Sequence, residues 1–254
     1  MKRYYIHKII VYSLLCLLYL ATCSACQKEP GDNEEPDEPQ TGYVDRLIHG
    51  FTIKVLAQEQ KLFITQAALE RMNYDLEKIS RLFSAAQLEV MRKNPIWMEV
   101  AIEPVEAARY HPNRQWLIDN GYIPEKAKCV EISNLANYVS WTSRNQPYMV
   151  LHELAHLYHD QALPNGFNNA AVLAAFNAAV ASKKYESVRY FNGTDTIMRR
   201  AYAIENRMEY FAELSEAYFG NNDFQPFNYD ELKTFDPMGY ALMVEIWGKR
   251  PDKD

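Results

Sequence analysis

Residues Met149-Val150-Leu151-His152-Glu153-Leu154-Ala155-His156-Leu157 place two histidines and a glutamate inside an otherwise apolar run. Such a run favours a buried helix. A helix turns about 100° per residue, so His152 and His156 share one face and can offer ring nitrogens to a single ion. Glu153 lies one step round the helix, where a general base for metal-activated water belongs. Pro147 fits a first-turn position with Asn145 as its cap, and the helix is expected to end before Pro164-Asn165-Gly166. The five-residue pattern arises by chance in roughly one chain of this length in a hundred. It therefore needs a second feature to mean zinc.

Arg199 to Phe219 supplies one. The segment reads as one long helix closed by Gly220. Tyr202, Asn206, Glu209, Glu213 and Glu216 follow steps of four and three and form one polar stripe. Phe211, Leu214, Tyr218 and Phe219 give the helix apolar flanks that favour burial. Buried carboxylates require partners, and a metal with its histidines provides them.

The His-Glu-x-x-His helix, followed by a tyrosine, a glutamate seven residues later and a second glutamate four beyond it, resembles the protease domain of anthrax lethal factor and its relatives. These include the secreted Pro-Pro endopeptidases. They are gluzincins, zinc (Zn2+) peptidases whose third ligand is a glutamate. The resemblance implies His152, His156 and Glu209 as zinc ligands and Glu153 as catalytic base. It implies Glu213 as a carboxylate supporting the site, and Tyr202 as a hydroxyl assisting at the substrate oxygen. Its specificity rests on the two helices, although Tyr110-His111-Pro112 and Asn221-Asn222-Asp223-Phe224 also look similar to such domains. The expected activity is hydrolysis of peptide bonds in a peptide or protein substrate. The alternative is a lipid-anchored surface-binding or adhesion module that keeps the peptidase fold without turnover.

His159 shares the stripe of His152 and His156. From 152 to 159 a straight helix rises roughly 10 Å, too far for two imidazoles to meet one ion, and no glycine lies between His156 and His159 to break it. Glu209 is the better third ligand. His159 is expected to support the site or to pair with Asp160.

The start of the chain bears on location. Residues 1–25 carry Lys2, Arg3 and Lys8 ahead of an apolar run, Ile9 to Ala21, and read as a secretory leader. Ser24-Ala25-Cys26 resembles a lipobox with Cys26 as the lipidated residue; Cys23 is the other candidate. Residues 26–42 are acidic and proline-rich and read as a disordered tether. Lysine and acidic residues after the cysteine resemble the surface-export signal of Bacteroidota lipoproteins. An extracytoplasmic chain anchored in outer-membrane lipid, facing the surface, is therefore expected. Losing three basic residues with the leader takes the formal charge from −6 to about −9, which argues against nucleic acid as a partner. Of the four cysteines, Cys129 alone lies beyond the leader and its lipobox, so no disulfide framework follows. It reads as a small buried residue.

Residues 43–254 suit one α+β domain: a small mixed sheet early, then a mainly helical zincin-like part. Strands are expected at Phe51–Leu56, Ile96–Ile102 and Lys128–Ile132. Helices are expected over Thr65–Arg92 with a break near Ser84, at Ala170–Ala181, Asp230–Phe235 and Pro237–Trp247. Lys128–Ile132 is the expected edge for pairing with extended substrate. Ala107–Tyr122 is expected to border the cleft, with His111 more often a satisfied loop histidine than a catalytic one.

Overall fold

Alternation of apolar residues builds the first layer. Phe51, Ile53 and Val55 of β2 (Phe51–Leu56) are buried while Thr52, Lys54 and Leu56 are half-buried, the pattern of a sheet covered on one face. A hairpin joins β2 to β1 (Tyr43–Ile48) through His49 and Gly50, both at positive φ. The computed structural model describes residues 42–250. The leader, Cys26 and all of the tether but Gly42 lie outside the described residues.

α1 (Phe63–Leu82) buries Ala68, Met72, Leu76 and Ile79 on one stripe. α2 (Ala85–Arg92) starts at the expected break, where Ser84 and Gln87 form a reciprocal cap. β3 (Ile96–Met98) follows, shorter than expected: beyond Glu99 the chain swings across the end of the sheet, and Ala101 bridges Asn134. Next come β4 (Arg109–Tyr110), α3 (Arg114–Asp119) and β5 (Val130–Ile132). Lys128 takes a positive φ, so β5 begins two residues later than expected. The mixed sheet has the order β1-β2-β3-β5-β4. β5 is thus flanked by β3 and β4 and has no free side. The edge is β4, which runs antiparallel to β5.

α4 (Leu135–Arg144) is capped by Asn134, and Asn145 ends it rather than opening the next helix. α5 (Met149–Ala162) starts after Pro147, with no side-chain cap at Tyr148. α6 (Ala170–Ser182) leads into a hairpin of β6 (Val188–Phe191) and β7 (Thr196–Arg199). The long helix expected from Arg199 is divided. Arg199 ends β7, Tyr202–Ile204 form a 3-10 turn, and α7 spans Arg207–Phe219. Asn206 is the cause: its side-chain oxygen accepts from the Met208 and Glu209 amides and caps α7. Gly220 closes α7 because a Cβ there would fall 2.0 Å from the Tyr148 ring.

α8 (Tyr229–Phe235) and α9 (Pro237–Trp247) complete the fold. Trp247 of α9 packs on Phe211 and Phe83 and donates its indole N–H to Ser215 Oγ at 3.0 Å. These contacts fix the rotation of α7, whose face toward α5 carries the site. The architecture is mixed α+β, mainly helical, with a small N-terminal sheet.

Candidate metal centre

α5 and α7 pack closely along their lengths. One presents His152, Glu153 and His156; the other presents Glu209, Glu213 and Glu216. Glu209 Oε2 lies 3.1 Å from His152 Nε2 and 3.2 Å from His156 Nε2. The two imidazoles stand nearly perpendicular, with centroids 4.7 Å apart. Metal–ligand bonds of about 2.0–2.1 Å in tetrahedral geometry separate ligand atoms by roughly 3.3–3.4 Å. Charge-assisted hydrogen bonds are shorter, about 2.7–2.9 Å. The contacts are long for charge-assisted hydrogen bonds and close to the spacing of ligand atoms around one ion. His152, His156 and Glu209 could hold a metal.

Charge points the same way. The ion pairs of Glu209, Glu213 and Glu216 among the described residues are with histidine only; no Lys or Arg reaches them. Burial should lift the Glu209 carboxyl, yet hydrogen bonds from His152 and His156 hold it well below the usual range. Burial acts to lower His152, and Glu209 and Glu216 overcome it and raise it well above its ordinary value. Both shifts report a site rich in carboxylate, which favours positive charge of the kind that a divalent cation supplies.

Glu153 is 8% exposed, and its side chain has no hydrogen bond among the described residues. Burial raises its carboxyl, against the pull of His152 and His156. It opens into a cleft of about 450 Å³ that also takes in His152, His156, Tyr202 and Glu209. A smaller pocket of about 210 Å³ shares His152, Glu153 and Tyr202 with it and is also lined by Glu213 and Glu216. Tyr202 no longer shares a helix with Glu209, but the 3-10 turn returns it to the site, its ring 6.4 Å from His152 and nearly parallel. Its hydroxyl is pushed up by burial and then by Glu209, so it stays protonated.

Glu213 lies beside the site, grouped with His152 and Glu216. Its Oε1 is 3.9 Å from His152 Nδ1, and Oε2 accepts from Asn222 at 2.9 Å. Glu216 instead meets His152 Nδ1, at 2.7 Å. It sits on the stripe seen in the sequence, seven residues beyond Glu209, and the sequence assigned it no role. Asp223 was missed as well. It accepts from Gln146 at 3.0 Å, and burial with Glu216 nearby lifts its carboxyl to about 7.

β4 forms one wall. Ala107 and His111 bond toward β5, through the Ser133 amide and the Cys129 carbonyl. Alternation turns the main-chain groups of Ala108 and Tyr110 to the free side, and both residues line the cleft. Ala107–Tyr122 therefore borders the site in its first part. His111 is satisfied by Glu131 at 2.6 Å, and Cys129 is a buried free thiol.

His159 neither supports the site nor pairs with Asp160, which takes Tyr110 Oη at 2.6 Å and Lys128 Nζ at 2.5 Å. It is fully buried between Phe167 and Phe211, with both ring nitrogens unpartnered. Burial, then His156 and Arg207, lowers it to about 4. A histidine depressed in the fold contributes stability that is complete above its unfolded value, near 6.5, and lost as pH falls toward 4. Between pH 7 and 5 the loss is about 2 kcal/mol at roughly 1.4 kcal/mol per unit. Chemical denaturation at both pH values should show His159→Leu losing less stability than wild type by about that amount. Equal losses would contradict the neutral, buried state.

No family model matches the chain, and neither do any curated protein or solved structure.

Proposed function

We propose that this chain is a zinc-dependent endopeptidase of the gluzincin kind, as the resemblance to lethal factor-like peptidases implies. The observation that carries the proposal is the convergence of His152 Nε2, His156 Nε2 and Glu209 Oε2 beside an unpartnered, buried Glu153. Two histidines and a carboxylate from paired helices match the donor set that zinc takes in hydrolytic sites. When bound, zinc supplies Lewis-acid polarisation of a substrate carbonyl and acidifies water.

The chain's own residues do the rest. A Glu153 carboxylate oxygen accepts the proton of the attacking water and returns it to the nitrogen of the leaving amine. The Tyr202 hydroxyl donates to the carbonyl oxygen as that atom gains charge. Main-chain groups of Ala108 and Tyr110 hold an extended substrate by adding it as a strand to β4. The cleft and the adjoining pocket both take in His152, Glu153 and Tyr202, which leaves room for a peptide at these groups.

Digestion of a peptide library with and without a zinc chelator tests the proposal: cleavage should vanish on chelation and return with added zinc. Bound zinc with no cleavage of any peptide would leave the binding-module alternative standing. Tyr202→Phe should lower turnover by about 10²-fold, the usual cost of losing one oxyanion donor, with zinc content unchanged. Wild-type turnover would remove Tyr202 from the chemistry.

A further inference from the structure

His152 has an acceptor at each ring nitrogen. Nδ1 meets Glu216 Oε1 at 2.7 Å, and Nε2 faces the point where His156 Nε2 and Glu209 Oε2 converge. A neutral imidazole carries one proton. If Nδ1 holds it and donates to Glu216, Nε2 is left with a lone pair directed at that point. The opposite tautomer would aim an N–H at the metal position and leave two lone pairs, of Nδ1 and Glu216, facing each other inside the protein. The second arrangement gives up the 2.7 Å contact with Glu216 for the longer 3.1 Å contact with Glu209, so the Glu216 contact selects the first.

We infer that Glu216 is the positioning residue that fixes the tautomer and orientation of His152 for metal binding. The inference rests on the zinc reading of the site and differs from the role the resemblance gives to Glu213. Glu213 lies 3.9 Å from the same nitrogen, and Asn222 holds its other oxygen. The register of the two helices explains the exchange: Glu209, Glu213 and Glu216 share the face of α7 turned to α5, and the residue seven beyond Glu209 reaches past the imidazole to its far nitrogen. His156 has no counterpart, since its Nδ1 is buried without a partner. Orientation by a carboxylate therefore acts on one ligand of the pair.

The test uses purified full-length chain in detergent, with 15N-labelled histidine. In metal-free wild type, His152 should give a slowly exchanging Nδ1–H signal. Glu216→Gln keeps an acceptor oxygen and should retain that signal. Glu216→Ala should lose it. Zinc affinity, measured by chelator competition, should fall about 10–100-fold in Glu216→Ala, much less in Glu216→Gln, and less than threefold in Glu213→Gln. Circular dichroism separates these effects from misfolding, and the glutamine variant carries the comparison if the alanine variant is unstable: a glutamine variant that loses the Nδ1–H signal overturns the inference. So does a Glu216→Ala protein that keeps the signal and wild-type zinc affinity, or loss of both in Glu213→Gln alone. A wild-type chain that shows the Nδ1–H signal yet binds no zinc would uphold the positioning contact and remove the peptidase reading.

Discussion

Glu153→Gln should retain one zinc per chain and lose peptide hydrolysis by about 10²–10⁴-fold, the range that a positioned general base contributes. Glutamine keeps the shape of the side chain but has no oxygen basic enough to take a proton at neutral pH. The Glu153 side chain has no hydrogen bond among the described residues and is not among the three converging ligand groups. Its loss should therefore leave metal binding and folding nearly unchanged. Removing a buried carboxyl that burial already disfavours as an anion can even stabilise the fold slightly. The decisive quantity is kcat at saturating peptide, with zinc content measured on the same sample. Turnover within a few-fold of wild type would assign the base elsewhere; low turnover with lost zinc would make Glu153 a structural group.

The sequence disclosed the candidate metal-binding side chains better than the framework that holds them. His152, Glu153 and His156 were legible because helical spacing and an apolar run fix their geometry locally. α9 occupies its expected bounds, and α2 begins at the expected break after Ser84, since proline and capping signals are local too. β4 was not legible. It has two residues, and its place at the edge depends on pairing with a strand twenty residues on. The β6–β7 hairpin was hidden because β7 is exposed along its whole length and shows no alternation. Asn206 misled in an instructive way. It fits the periodicity of the glutamate stripe, but its side chain serves better as a cap, and the helix starts there. The exchange of Glu213 for Glu216 lies deeper. Which carboxylate reaches His152 depends on the rotation of α7 against α5, and distant contacts such as Trp247 with Phe211 and Ser215 set it.

Glu209→Gln should cost zinc and activity together. Zinc bound by four protein groups gains about 10–16 kcal/mol, roughly 2.5–4 kcal/mol per ligand, so the neutral amide should weaken binding by ~10²–10³-fold. The two proteins should differ in stability with metal and not without it. In zinc, wild type gains stability by ligand linkage and the variant gains less. In chelator, wild type holds the Glu209 charge beside Glu153 and Glu216 with only histidines to balance it. The variant loses that repulsion and also the hydrogen bonds that hold the Glu209 carboxyl ionised. The two should then melt at similar temperatures. A variant that melts far below wild type in chelator would mean that Glu209 serves the fold rather than the metal.

The most direct test of the whole reading is the metal content of purified chain, measured by mass spectrometry of the element beside a protein assay. Wild type, Glu153→Gln and His159→Ala should each carry one zinc per chain, while His156→Ala and Glu209→Gln should carry almost none. Zinc retained in Glu209→Gln but lost in His159→Ala would overturn the ligand assignment, and wild type without zinc would contradict the account at its centre.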